Sequence, residues 1–407
     1  MNEKFSGSFT QQEPLSDAAI AAALEVMQHG RLHRYNVVEG ELGQAALLEQ
    51  EFAAQMGARY CLSVASGGYA LATALRAVGV EHGDLVLTNA FTLAPVPGAI
   101  ASVGAVPVFV DVTENLVIDL DDLASKVGQA KVLMLSHMRG HLCDMDRLMQ
   151  ICNDAGVTVI EDCAHTMGAT WNGVASGRHG AIGCYSCQTY KHVNSGEGGL
   201  LVTDDEDVAA RAIMLSGSYM LFERHLAAPD RTVFDRIKYD TPNISGRMDN
   251  LRAAILRPQL RDLDAQVARW NERYRCIEDG LRETPGLQLT ERPAAETYVG
   301  SSIQFLLLDW ASDKVQEVIR RCADRGVELK WFGAPEPAAF TSRYDNWRYA
   351  PVHSLPQSDR ILAGIVDMRV PLTFSLDDCA QIARIIRAEV GAVFQQERAL
   401  PSQARQR

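Results

Sequence analysis

The stretch from residue 183 to residue 200 reads GCYSCQTYKHVNSGEGGL. It sets a hydroxyl, Ser186, ahead of a lone lysine, Lys191, and follows them with glycines at Gly196, Gly198 and Gly199 before a second apolar run. That order predicts a strand, a tight turn presenting the lysine, and a return strand. A lysine in a turn is ordinarily a solvated charge. It becomes a chemical group when burial or cationic neighbours lower its pKa and an electrophile lies within reach.

Other residues could complete such a site. Ser66-Gly67-Gly68 precedes a helical pattern, where backbone N–H groups and the helix dipole can hold a phosphate. Alone it is an ordinary turn. Asp162 closes an apolar run at 157–160 and could keep a proton on a pyridine nitrogen; a cap or a loop salt bridge would also explain it. Phe91 and Ala164 could flank a flat ring, His165 could hydrogen-bond a ring hydroxyl, and Ser186 could be a second phosphate ligand. Each signal is weak alone. Together they suit a cofactor with a phosphate, a pyridine ring and an aldehyde, which Lys191 would anchor and serve as a proton carrier.

These residues need a scaffold that brings them together. Short apolar runs at 61–64, 84–87, 106–110, 131–136 and 157–160 alternate with helical patterns. This predicts an α/β fold with a mostly parallel central sheet and helices on both faces. Such sheets bind ligands beyond the carboxyl ends of their strands, where Ser66, Phe91, Asp162, His165 and Ser186 all fall. A helix is expected at 16–28, capped by Ser16, with Ile20, Ala23, Leu24 and Met27 on one face, and another at 43–56. A long helical segment spans 250–281, bent near Pro258. The expected domains are 1–250, a large cofactor-binding unit, and 251–395, a smaller α+β unit. Residues 396–407 are expected to form a disordered tail.

The chain has 407 residues and a formal net charge of -12, which argues against nucleic-acid or anionic-membrane partners. Nine scattered cysteines fit free thiols in a reducing compartment, and the one C-x-x-C pair, Cys184 and Cys187, lacks the second pair of a zinc site. No metal is expected. No apolar leader stands at the N-terminus, and prolines and glycines interrupt the uncharged run at 85–110, so a cytoplasmic protein is expected.

The segments VIEDCAHTMGA (159–169) and CYSCQTYKHVNSGEGG (184–199) resemble the DegT/DnrJ/StrS-type sugar aminotransferases, which depend on pyridoxal 5'-phosphate and have the aspartate aminotransferase-like (type I) fold. The resemblance covers roughly residues 28–250. It implies that Lys191 is the Schiff-base lysine, Asp162 the partner of the pyridine nitrogen, His165 the neighbour of the ring oxygen and Phe91 the stacking aromatic. It assigns Ser66, Gly67, Gly68 and Ser186 to the phosphate, with Gly68 where threonine is usual. Asn243 resembles a residue that reaches the neighbouring subunit's site, which implies a homodimer with shared active sites. The implied activity is transfer of an amino group from glutamate or glutamine to a keto-sugar, cyclitol precursor or similar ketone. A dehydratase of this family would have histidine in place of Lys191, and a nicotinamide enzyme would need a G-x-G-x-x-G turn that GEGG does not provide. His192 stands where asparagine is common. Residues 330–337 depart from the segment of nucleotide-sugar enzymes, and Arg224, His225, Lys330 and Arg343 are candidate anion ligands.

Overall fold

The computed structural model describes residues 3–351 and 354–399. Its central sheet has seven strands, in the order Tyr60–Val64, Gly199–Thr203, Ile182–Ser186, Thr158–Asp162, Val132–Ser136, Leu85–Asn89 and Val106–Val110. The strands from Ile182–Ser186 to Val106–Val110 are mutually parallel, and Gly199–Thr203 runs antiparallel to both its neighbours. The expected mostly parallel sheet is therefore present. Its near-continuous apolar strands are buried on both faces. Val86, Val132, Met134 and Ile160 feed the core on one side, while Leu87, Leu133, Leu135 and Val159 feed the core on the other.

Register decides where the chemistry lies. Val64 pairs with Gly199, Gly199 with Ser186, Asp162 with Cys184, and Ser136 with Asp162. The ends of five strands thus meet along one edge of the sheet. The turn from Ser66 into helix Gly67–Ala77 lies at that edge, and Ser66 caps the helix by accepting a hydrogen bond from Tyr69 N at 3.1 Å.

A second sheet is antiparallel, in the order Gln288–Leu289, Ser302–Leu306, Ile365–Arg369 and Lys330–Trp331. Helices Ser312–Asp324 and Leu376–Ala399 complete this unit. Phe5 and Phe9 join its core and meet Phe374 edge-on, so the N-terminal segment belongs with residues far along the chain. Helix Asn250–Arg261 packs on helices Asp17–His29 and Gln44–Met56, whereas Leu263–Leu281 packs on Leu376–Ala399. The chain passes from one packing unit to the other at Asp262. The helix runs through Pro258 and breaks four residues later.

Two further expectations change. The tail expected from 396 is helical through Ala399, because helix Leu376–Ala399 continues without interruption; residues 400–407 lie outside the described residues. In helix Asp17–His29, Ser16 is the N-cap as expected, but the apolar stripe does not face the core. Ile20, Leu24 and Met27 are 51%, 50% and 60% exposed, and the helix buries Ala19 and Val26 instead. No helix of the described residues is long and apolar enough to cross a membrane.

A buried charge cluster holds the first strand in place. Glu49 pairs with Arg34 at 2.9 Å, accepts from Ser63 N at 2.8 Å and meets His225 Nδ1 at 2.9 Å; Tyr35 Oη lies 2.7 Å from His225 Nε2. Burial pushes the Glu49 carboxyl up, but Arg34 and His225 outweigh it and hold the group well below the usual carboxylate range. The cluster joins the 31–36 loop, helix Gln44–Met56 and the 216–225 segment to strand Tyr60–Val64. Glu49→Gln leaves Arg34 buried and unmatched, so it should lower unfolding stability by about 3–5 kcal/mol. Urea denaturation measures this, and a loss below about 1 kcal/mol would mean the cluster is not holding the strand.

Candidate active site

Lys191 lies in the loop between strands Ile182–Ser186 and Gly199–Thr203. Backbone bonds tie the loop across itself: Cys187 N donates to Gly198 O at 2.8 Å and Thr189 N to Gly196 O at 3.1 Å. Gly196 makes the turn at a φ of +84°. Gln259 clamps the far side, accepting from Asn194 N at 3.0 Å and donating to Asn194 O at 2.8 Å. The loop is therefore a braced platform.

Its lysine points inward. Lys191 Nζ is 2.8 Å from His165 Nε2. Burial, reinforced by Arg139 and Arg369 and opposed by Asp162, pushes the amine down to about 7. Burial, then Lys191 and Arg139, keep His165 well below its ordinary value, so it is a neutral partner. Asp162 accepts from Ser136 Oγ and Ala164 N, both at 3.2 Å. It is buried, and among the described residues no cation lies within ion-pair distance of it. Burial raises its carboxyl and Lys191 pulls it back.

The serines and glycines converge as the register requires. A Cβ on Gly67 would come within 2.8 Å of Ser186 Cβ, and one on Gly199 within 2.4 Å of Ser66 O. Only backbone fits between these turns. Their closeness leaves N–H groups and two hydroxyls at a helix N-terminus, which is a cradle for an anion. A Cβ on Gly68 would meet only Pro95 Cβ, at an ordinary contact distance of 3.7 Å. These features fit pyridoxal phosphate: a cradle for its phosphate, a buried unpaired carboxylate for its ring nitrogen, and a buried amine of lowered pKa for its aldehyde.

Two other expected residues have the following surroundings. Phe91 is buried in an apolar cluster, edge-on to Phe332 at 5.2 Å. Leu93 is the partly exposed apolar side chain of that turn. Asn243 is exposed on the 241–247 loop and makes no hydrogen bond to Lys191, Asp162 or Ser186 among the described residues. That loop is fastened by Tyr69 Oη to Ile244 O at 3.0 Å and by Ala65 N to Gly246 O at 2.8 Å.

The four candidate anion ligands are all otherwise engaged. Arg224 donates to Tyr35 O, His225 sits in the Glu49 cluster, Arg343 pairs with Asp345 and Asp359, and Lys330 pairs with Glu328. None lines the cavity, which measures about 180 Å³. Arg139 and Arg369 do line it, and sequence reading passed over both. Arg139 holds a left-handed φ of 57°, an unusual conformation for a side chain other than glycine. Only its place after strand Val132–Ser136 could have singled it out.

His192 lines the same cavity as Lys191 and His165 but bonds to the smaller unit. Its Nε2 is 2.9 Å from Ser301 Oγ, its ring meets Trp270 edge-on at 5.1 Å, and burial with Lys191 pushes it down to about 3. It fastens the loop to the smaller unit. The buried His137, Glu161 and Cys163 cluster is likewise structural, because Glu161 already accepts from His137 Nε2 and from Gly177, His179 and Gly180 N–H at 2.7–2.9 Å.

Residues 15–387 match the DegT/DnrJ/EryC1/StrS aminotransferase family. A putative L-glutamine:3-amino-2,3-dideoxy-scyllo-inosose aminotransferase of Micromonospora echinospora is 34% identical over 60% of this chain, and the match spans 57% of that relative's length. The 3-amino-5-hydroxybenzoate synthase of Amycolatopsis mediterranei is 34% identical over 68% of this chain and 69% of its own. Among solved structures, 3-amino-5-hydroxybenzoic acid synthase is 26% identical, with a TM-score of 0.80 over 95% of this chain and all of that one. The chain belongs to the DegT/DnrJ/EryC1/StrS aminotransferase family and has the fold of its pyridoxal 5'-phosphate-dependent members.

Proposed function

We propose that this chain is an aminotransferase that moves an amino group from glutamate or glutamine to the keto carbon of a sugar, a cyclitol precursor or a related polyhydroxylated ketone. The observation that carries the reading is the Lys191 amine, buried against His165 beside the unpaired carboxylate of Asp162. Pyridoxal phosphate, when bound, supplies an aldehyde that condenses with primary amines and a ring that accepts the electron pair of the broken C–H bond. Lys191 would hold that aldehyde, Asp162 the ring nitrogen's proton, His165 the ring oxygen, and Ser66, Gly67, Gly68 and Ser186 the phosphate.

Lys191 Nζ also carries the proton. Titrating near neutrality, it can take a proton from the substrate carbon and give it back. His165, neutral and 2.8 Å away, aims the amine without competing for charge. Gln259 and His192 keep the loop from swinging the amine out of reach.

We also infer a homodimer with shared sites. The exposed stripe of Ile20, Leu24 and Met27, with exposed Leu32, Val38 and Leu42 following it in the chain, is more apolar surface than a lone helix presents to water. Asn243 stands outward on a fastened loop, as a residue serving a neighbour's site would.

Purified protein should show a visible absorption band from bound cofactor, and borohydride should fix the cofactor to the peptide containing Lys191. Lys191→Ala should abolish turnover. Colourless protein that takes up no pyridoxal phosphate would refute the reading. In protein stripped of cofactor, the ammonium form dominates below the Lys191 pKa and the free amine above it. Labelling of Lys191 by a neutral acylating reagent, followed by mass spectrometry, should therefore rise through about pH 7. A rise deferred to about pH 10, where an ordinary lysine titrates, would contradict the burial argument. Mixing inactive Lys191→Ala and Asn243→Ala subunits should restore about a quarter of wild-type activity, because one site in each mixed dimer is intact. No recovery after subunit exchange would rule out shared sites.

A further inference from the structure

Two arginines enter the Lys191 cavity from different elements, and the chemistry described above uses neither as a ligand. Arg369 ends strand Ile365–Arg369 of the second sheet, and Arg139 follows strand Val132–Ser136 of the first. Both stand close enough to Lys191 and His165 to act on their charge.

Their partners differ. Arg139 is buried and gives Nη2 to Asp367 at 2.9 Å, while its Nε has no hydrogen-bond partner. Asp367 is in turn held by Gln304 Nε2 at 2.7 Å. The Arg369 guanidinium lies over the Tyr190 ring, 3.6 Å from its centre, and among the described residues no carboxylate lies within ion-pair distance of it. Glu13, a carboxylate of the cavity wall, is committed to Arg269 at 2.5 Å. Asp262, the other carboxylate of the cavity wall, is not within ion-pair distance of Arg369 among the described residues, so the cavity presents one guanidinium without a paired carboxylate near the reacting amine.

A half-buried cation without a counter-charge is unfavourable unless something anionic arrives to pair with it. The planar fork of arginine matches a carboxylate in two bonds, and stacking on Tyr190 fixes the plane of that fork. The fork sits next to the reacting amine rather than at a distant end. We propose that Arg369, supported by Arg139, forms a carboxylate subsite for the molecule that reacts at Lys191. The subsite rests on the aminotransferase reading only for the identity of the reacting group. Two molecules could bring the carboxylate: the amino-acid donor, through its α-carboxylate, or an acidic keto acceptor.

The test titrates purified protein with succinate, and separately with inorganic phosphate, by calorimetry. It compares wild type, Arg369→Gln and Arg369→Lys, with circular dichroism confirming that each is folded. Succinate should bind wild type more tightly than phosphate does. Arg369→Gln should weaken succinate binding on the order of 100-fold, and Arg369→Lys should restore only part of it. Glutamate conversion is then followed by loss of the cofactor band. A matching fall in kcat/KM, carried mainly by KM, assigns the carboxylate to the donor. Unchanged glutamate conversion with lost succinate binding assigns it to an acidic acceptor. Succinate binding that is the same in wild type and Arg369→Gln, or phosphate binding that is tighter than succinate binding, overturns the proposal. Failure of the aminotransferase reading shows separately, as wild-type protein without a cofactor band.

Discussion

Withdrawing the Lys191 amine from water next to two guanidinium groups sets the conditions for the whole site. An ammonium there would be desolvated and repelled by Arg139 and Arg369, with only Asp162 to favour it, so the neutral amine holds its own near neutral pH. A neutral amine is the form that attacks an aldehyde and accepts a proton. The neutral form requires that the loop stay closed against the rest of the molecule. The braces at Gln259 and His192 serve this need, one fixed to helix Asn250–Arg261 and the other to Ser301 ahead of the second sheet. His192 is thus explained by what it holds rather than by what it reacts with.

The same constraint accounts for the sheet's register. In the proposed reading, Lys191 serves only if the anion cradle and Asp162 lie at fixed distances from it. Three adjacent strands achieve this by ending at one level, so that Val64, Gly199 and Ser186 lie side by side with Asp162 one strand further on. The Glu49 cluster supports this register from a distance. It ties strand Tyr60–Val64, which delivers Ser66, to the 216–225 segment through His225.

Local pattern made much of this readable from the chain. Apolar runs ending in polar residues marked the strand ends, and Lys191, Asp162, Ser186 and Ser66 followed from that placement. What escaped depends on distant partners. The periodicity of helix Asp17–His29 marks an apolar face, but periodicity cannot say whether the covering surface belongs to the same chain. Phe91 is legible as an aromatic close to a strand end, but its edge contact with Phe332, more than two hundred residues later, is not. Arg224, His225, Lys330 and Arg343 looked available because their partners cannot be seen from local sequence. Arg369 was overlooked for the opposite reason. Nothing nearby in the chain suggests that the last residue of a small-unit strand stacks on Tyr190 beside the lysine.

A carboxylate subsite at Arg369, as proposed, would connect substrate charge to lysine chemistry. Arg369 adds to the repulsion that keeps the Lys191 amine neutral. A carboxylate seated on Arg369 would cancel part of that field, and the amine would then hold a proton more firmly. Lys191 would be least basic while it must remain a nucleophile and more basic once a substrate is in place and a proton must be taken from carbon. Arg139 cannot shift the balance in this way, because Asp367 already offsets its charge. The responsive part of the field is therefore the unmatched guanidinium on the smaller unit, while the larger unit supplies the fixed frame of cradle, carboxylate and lysine.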